Sequence, residues 1–184
     1  KRSAAAPDVP SITEQGFGEF DLVAWFMLYA PANTPATVLA KLRDAVNQFD
    51  ADIVCLQEVE NMDTLKNFLS THMSSAGYKY RILIDAKDPR FIDVALISKI
   101  PFGNVKTHQF SETGKVFSRD CLEVEFDIDG KTLTLFVNHF KSMFDRSNKT
   151  PAQKRAITAP KRTAQCNAVL NIIKEKYKYS PQKS

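Results

Sequence analysis

Four polar side chains of this sequence lie just past apolar runs, where a strand would present them at the edge of a sheet. Glu58 follows the apolar run Ile53–Leu56, whereas His139 follows an alternating run with Asn138 before it and Lys141 close behind. An imidazole, an amide and an ammonium group gathered at one strand end can donate hydrogen bonds to a phosphate. The imidazole can also exchange a proton with an attacking or leaving oxygen.

A carboxylate at a sheet edge can hold a hard cation, because Mg²⁺ prefers oxygen ligands and keeps several of its waters. The sequence therefore suggests Mg²⁺ (or Mn²⁺) at Glu58, held against a phosphate. The alternative is that Glu58 is solvated or caps the next helix, and that His139 is an ordinary surface residue. The residue types alone leave both interpretations open.

Two further residues, Arg119 and Asp93, lie at the starts of expected strands. An arginine can bind a phosphate through two parallel hydrogen bonds, and an aspartate can orient an imidazole. Spacing alone favours the other interpretation, in which each forms a surface ion pair. A later group of cations is either a patch that contacts a nucleic-acid backbone or a solvated face: Lys149, Lys154, Arg155, Lys161 and Arg162.

The elements that must position these residues follow from the hydrophobic pattern. Residues 20–30 read as a strand, and Thr34 with Pro35 begins an amphipathic helix. The run Ile53–Leu56 suits a central strand covered on both faces, and Asn61 is expected to cap a second helix. Because strands alternate with helices and a hairpin follows, the predicted class is α/β with a mixed, α+β-like sheet.

The second part of the chain has a clear hairpin signal. Strands are expected at Tyr78–Ile84 and Phe91–Ile97, and then on both sides of Asp129-Gly130, a strong type I′ turn pair. The polar, basic segment Ser142–Pro160 reads as a long surface loop, with a last helix beginning after it.

Bulk composition is that of one compact domain, with 184 residues, 43% hydrophobic and 25% charged. The formal charge of +4 favours an anionic ligand without forming a nucleic-acid-binding stripe. The apolar stretch Leu22–Ala30 is too short to cross a bilayer, so no membrane span is expected.

Five segments, in this order, resemble the endonuclease/exonuclease/phosphatase superfamily between about Asp50 and Tyr177: ADIVCLQEVEN, FIDVALISKIPF, FSRDCLEVEF, TLTLFVNHFKSM and KRTAQCNAVLNII. The resemblance implies that Glu58 is the metal-binding glutamate and that His139 is the catalytic, phosphate-contacting histidine. It also implies that Arg119 approaches the scissile phosphate and that Asp93 supports the active site. Asn138 and Lys141 are then candidate phosphate contacts.

Two motifs of the superfamily are absent from this sequence: Gly-Asp-x-Asn at a later strand end and a terminal Ser-Asp-His. They normally supply the base that aligns the attacking water and a further metal-linked pair. The resemblance therefore implies a divalent-metal-dependent phosphodiesterase or nuclease-type hydrolase with an incomplete active site. The alternative is an inactive chimeric or recombined protein that acts only as a folded, self-associating module.

The N-terminal part resembles a different family. Residues from about Ala6 to Gln48 are similar to a fragment of the periplasmic receptors of tripartite tricarboxylate transporters, including the loop APANTP. The chain is thus expected to be a chimera of a receptor-like segment 1–48 and a truncated nuclease-like segment 49–178, which together form one domain with a tail at 179–184.

The superfamily resemblance implies half of a DNase-I-like β-sandwich with flanking helices. One sheet layer would leave an apolar face uncovered. We therefore expect a homodimer that imitates the missing half, with a nucleic acid or another phosphodiester as substrate. Light scattering tests the dimer, and a stable monomer at micromolar concentration would count against it.

Overall fold

The computed structural model describes residues 50–110 and 114–177, with a few isolated positions before residue 50. The strand and helix expected between residues 20 and 49, and with them the receptor-like segment 1–48, lie outside this described part apart from those isolated positions. No helix within the described part carries an apolar stretch long enough to cross a membrane.

Within residues 50–110 and 114–177, six strands form two three-stranded sheets. Sheet A has the order β1-β3-β2, with β1 at Ile53–Val59, β2 at Tyr80–Leu83 and β3 at Asp93–Ser98. Sheet B has the order β4-β5-β6, with β4 at Val105–Lys106, β5 at Cys121–Ile128 and β6 at Lys131–Asn138. Two helices are described, α1 at Met62–His72 and α2 at Pro151–Tyr177. The α/β class is confirmed, and every described strand pair is antiparallel.

The two sheets pack against each other through alternate side chains. Val94 and Leu96 of sheet A share one apolar cluster with Leu122, Val124 and Phe126 of sheet B. The intervening side chains of sheet A form a second cluster with α1. Since successive side chains of a strand point to opposite faces, the described layers are helix, sheet, sheet and helix. The expectation of a single sheet layer with an uncovered face is therefore wrong for this part of the chain.

The predicted helix cap and hairpin are confirmed. Asn61 caps α1, and its side-chain oxygen accepts a hydrogen bond of 2.8 Å from the Thr64 N–H. Asp129 and Gly130 both have positive φ, 53° and 75°, as a type I′ turn requires. The run Ile53–Leu56 is covered on both faces as expected, although β3 rather than β1 is central among the described strands of sheet A.

Helix α2 begins at Pro151, well before the expected start beyond Pro160. The loop assigned to Ser142–Pro160 is thus too long, because Thr150 and Gln153 form a capping box. The Gln153 N–H donates to Thr150 Oγ1 at 3.3 Å, and Gln153 Oε1 accepts from the Thr150 N–H at 3.0 Å. Proline at the first helical position fits this start, and Pro160 lies inside the helix without ending it.

Polar contacts attach α2 to sheet B on the face opposite the shared core. Lys176 bridges Glu123 and Glu125 of β5, and Glu123 Oε2 also contacts His108 Nε2 at 2.7 Å. Nearer the middle of α2, the buried Gln165 accepts a hydrogen bond of 2.8 Å from the Lys141 N–H. Helix α2 therefore holds the segment that follows β6 in place.

The shared core predicts which leucines stabilise the protein. Leu96 is fully buried in β3, so Leu96→Ala should lower the free energy of unfolding by about 2–5 kcal/mol. Leu170 is an exposed leucine of α2 and serves as the control. Leu170→Ala should change the free energy of unfolding by no more than about 0.5 kcal/mol. Urea unfolding followed by circular dichroism measures both, and equal losses would contradict the described core.

Candidate functional site

A cleft of about 730 Å³ lies where strands of both sheets end together. In sheet A the end of β1 at Val59 pairs with the start of β3 at Asp93. In sheet B the start of β5 at Cys121 pairs with the end of β6 at Asn138. The loops next to these four residues therefore leave each sheet at a single edge. Four of the predicted residues line this cleft: Glu58, Arg119, His139 and Lys141.

Glu58 reaches the cleft through an irregularity in β1. The register between β1 and β3 shifts between Gln57 and Val59, which leaves Glu58 without a paired residue, and its φ is 60°. A β-bulge of this kind re-aims a side chain, and a glutamate at positive φ is costly enough to need support from its surroundings. The Glu58 carboxylate is 42% exposed and is therefore open to the cleft.

His139 lies beside Glu58 because the two sheets are joined just ahead of both residues. Gln57 Nε2 donates a hydrogen bond of 2.7 Å to Asn138 O. One residue further along each strand, His139 Nε2 lies 3.7 Å from Glu58 Oε1. The imidazole is mostly buried, and its Nδ1 has no hydrogen-bond partner.

The surroundings of His139 keep its ring neutral. Burial lowers the pKa of His139 to about 4, and the positive charge of Arg119 acts in the same direction, whereas Glu58 raises it. A neutral ring has one N–H donor and one acceptor nitrogen. It can therefore give a hydrogen bond to a phosphate oxygen or accept one from water.

Arg119 is a fixed, buried cation at the base of the cleft, with 4% of its surface exposed. Its Nη1 donates to Asp88 Oδ2 at 3.3 Å and its Nη2 to Phe140 O at 3.1 Å, while Nε has no partner. Burial and the charge of Arg90 lower the pKa of Arg119. Burial raises the pKa of Asp88, but hydrogen bonds from the Arg90 N–H and from Arg119 outweigh it, so that pKa lies below its usual range.

Asp93 and Asn138 do not line the cleft. Asp93 Oδ1 accepts a hydrogen bond of 2.9 Å from the Ala86 N–H, so it holds the loop that carries Asp88 and makes no contact with the His139 Nδ1. Burial raises the pKa of Asp93. The Asn138 amide donates to Phe136 O at 2.9 Å. Both residues lie behind the cleft and support it.

Sequence reasoning missed Asp88 and much of the charge in the cleft. Six cationic side chains line it against three acidic ones, Glu58, Asp88 and Asp145, and an anion is therefore favoured. The cations are Arg90, Lys115, Arg119, Lys141, Arg146 and Lys161. The pair Asp88-Pro89 was a turn signal in the sequence, but nothing in it indicated that the turn folds over Arg119.

The cleft offers a metal ion few protein ligands. No group of three or more His, Cys, Asp or Glu side chains within residues 50–110 and 114–177 could hold one. Asp88 is committed to two arginines, and Asp145 Oδ1 accepts from the Ser147 N–H at 2.9 Å. Among the described residues, Glu58 is thus the lining carboxylate whose contact is with His139, a side chain that can itself bind a metal ion, rather than with a cation.

Comparisons with known proteins identify the family and the fold. A sequence model described as "Endonuclease/Exonuclease/phosphatase family" matches residues 30–176, and so begins ahead of Asp50. The crystal structure of SmcL is similar to this chain with a TM-score of 0.50 and 17% identity. The match covers 75% of this chain and 51% of that one, which supports a partial DNase-I-like fold.

One curated relative was also found, the "UPF0065 protein in the TAR-I ttuE-ttuC' intergenic region" of Agrobacterium vitis. It is 36% identical over 59 residues, which are 32% of this chain and 17% of the relative. The chain therefore spans about half of the matched structure and less than a fifth of the curated relative. The receptor-like origin of residues 1–48 stays a prediction.

The lowered pKa of His139 predicts how stability depends on pH. Between the unfolded value near 6.5 and the folded value of about 4, the unfolded chain binds a proton that the folded chain does not. Stability should therefore fall as the pH drops through this window, by at most about 3 kcal/mol from this group. His139→Gln should make the decline shallower.

Urea unfolding between pH 4 and pH 7 in the presence of EDTA measures this dependence. An NMR titration of the imidazole gives the pKa directly, and Glu58→Gln should lower it further because the neighbouring negative charge is lost. A His139 ring that titrates near 6.5 in the folded protein would contradict the described burial.

Proposed function

The chain belongs to the endonuclease/exonuclease/phosphatase family, and on this premise we propose that it is a divalent-metal-dependent phosphodiesterase of the nuclease type. The observation that carries the proposal is the meeting of Glu58 and His139, 3.7 Å apart, in a cleft with a buried arginine and an excess of cations. These groups suit a phosphodiester, which presents one negative charge and oxygens on several sides.

The residues of the cleft would divide the work on the phosphate. Lys141 and Arg90 also line the cleft, and their charges would attract and hold the ester. Arg119 is fixed by Asp88 and Phe140 O and would act as a permanent positive charge beside the bound ester. His139 would place a ring nitrogen on a phosphate oxygen and move a proton as the ester bond breaks.

Glu58 would hold the metal ion. A single exposed carboxylate fits Mg²⁺ or Mn²⁺ only when waters and an oxygen of the bound ester complete the coordination. The ion would stabilise charge on the phosphate and lower the pKa of a bound water. Because Glu58 is the sole protein ligand in this proposal, binding of the metal and of the ester should depend on each other.

The activation of water is the incomplete step. Asp88 and Asp145 both have pKa values held low by their hydrogen bonds, and so are poor bases. Neither a Gly-Asp-x-Asn nor a Ser-Asp-His motif is present to supply another. We therefore propose that the carboxylate that activates the water comes from outside residues 50–110 and 114–177, with a homodimer partner as the source that sedimentation velocity tests. The second candidate function is a folded module without turnover. It is favoured by the absence, within the described residues, of a group of three His, Cys, Asp or Glu side chains that could hold a metal ion.

Hydrolysis of bis(p-nitrophenyl) phosphate tests the proposal, with Mg²⁺, with Mn²⁺ and with EDTA. Metal-dependent turnover should fall by about 100-fold or more in His139→Ala, because acid–base catalysis typically contributes that much. Glu58→Gln should raise the metal concentration needed for half-maximal rate. Glu175→Gln, which removes an exposed carboxylate of α2 away from this cleft, is the matched control and should leave the rate unchanged.

Two results would support the inactive module instead. One is an absence of metal-dependent turnover at high protein concentration, and the other is a residual rate that survives both His139→Ala and Glu58→Gln. Sedimentation velocity of the same samples shows whether any activity follows the dimer fraction.

A further inference from the structure

Two exposed phenyl rings, one in the lining of the cleft and one on the residue that follows a lining residue, define what we call the mouth of the cleft. Phe144 is one of its lining residues and is 65% exposed, and Phe91 directly follows the lining residue Arg90 and is 75% exposed. Large apolar side chains this open to water contribute little to folding. Their position beside a cation-rich cleft suggests a ligand with flat apolar surfaces and negative charge.

The backbone at Phe91 makes its position more unusual. Its φ is 54°, which is rare for a bulky residue, and its N–H donates a hydrogen bond of 2.9 Å to Asp88 O. Strain of this kind concentrates at binding and active sites. The turn that places Asp88 on Arg119 therefore also leaves the Phe91 ring exposed to solvent. The strained backbone at Phe91 costs free energy, and burial of the ring does not compensate for it.

Exposed cations lie in the lining of the cleft and in the chain that follows Phe144. Arg146 and Lys161 line the cleft and are exposed, and Lys149 and Arg155 are exposed on the loop before α2 and on its second turn. Lys154 Nζ lies 5.8 Å from the centre of the Phe144 ring. A strip that combines cations with open aromatic rings is the pattern that binds a nucleic-acid strand, because phosphates meet the cations and bases stack on the rings.

We propose that this mouth binds an unpaired stretch of nucleic acid, with bases stacked on Phe91 and Phe144 and the backbone held by the cleft cations. This inference rests on the proposed phosphodiesterase function, since it names the substrate of the same cleft. The strand is unpaired because the faces of bases in a duplex are already stacked on one another. Rings that stack thus select single strands, loops or ends.

A lipid surface is the competing partner, since Met143 beside Phe144 is also exposed. Charge argues against it. Arg90 lies directly before Phe91, and the acidic Asp145 directly follows Phe144, so the apolar surface is interrupted by charged groups. Insertion into a bilayer favours a continuous apolar face, whereas stacking needs only separate rings.

Fluorescence anisotropy in EDTA tests binding without turnover. The probes are a labelled single-stranded oligonucleotide and a hairpin-free duplex of the same sequence. The single strand should bind more tightly, and Phe91→Leu and Phe144→Leu should each weaken it about fivefold or more. Leucine removes the stacking face but keeps an apolar side chain. Tyr80→Leu, which changes an aromatic residue at the far end of sheet A, is the matched control.

Salt dependence separates stacking from charge. Phe91→Leu should leave the slope of log K against log salt unchanged, whereas Arg146→Gln should reduce its magnitude by about 0.7. Equal affinity for the two oligonucleotides, or no loss in either phenylalanine variant, would overturn the inference. The inference would also be overturned if the protein sediments with vesicles of phosphatidylcholine and phosphatidylserine and both leucine variants still do so. Since binding is measured without metal, these results are independent of any failure to hydrolyse the chromogenic ester.

Discussion

The charge of Arg119 has to be compensated inside the protein, because the side chain is almost fully buried and a buried unpaired cation is strongly destabilising. Asp88 supplies the opposite charge and Phe140 O a further acceptor, so the turn after β2 and the segment after β6 are both tied to the start of β5. Asp93 then has to hold the turn at Ala86. Burial is the main cause of the low pKa of His139, and the charge of Arg119 adds to it.

Much of the fold could be predicted because local signals and the core agree. Asn61 caps α1 and Asp129-Gly130 makes the hairpin turn, since side-chain and backbone geometry decide both within a few residues. The packing of two sheets was not predicted, because strand alternation indicates that a face is buried without indicating what covers it. The start of α2 was readable in Thr150-Pro151-Ala152-Gln153 but was outweighed by the polar composition around it.

The residues of the candidate site also fall into those that the sequence could place and those that depend on tertiary contacts. Glu58, His139 and Arg119 could be placed because each lies at the end or start of a strand, where sequence order and sheet geometry agree. Asp88 could not, since its role is set by a contact with Arg119 across a loop. Asp93 shows a different difficulty. The sequence left an orienting role at an imidazole and a surface ion pair both open, whereas the carboxylate accepts a hydrogen bond from the Ala86 N–H.

The neutral state of His139 has a consequence for how the cleft would use an anion. Burial and Arg119 lower its pKa in the free protein, and a phosphate placed against the ring would act in the opposite direction, as Glu58 already does. Linkage is reciprocal, so a ligand that favours the protonated ring binds more tightly when the ring is protonated. Binding of the ester would then lead the ring to take up a proton from solvent, and the ring could pass that proton to the leaving oxygen. A buried arginine beside a histidine, which weakens the free protein at low pH, is thus compatible with acid catalysis once the anion is bound.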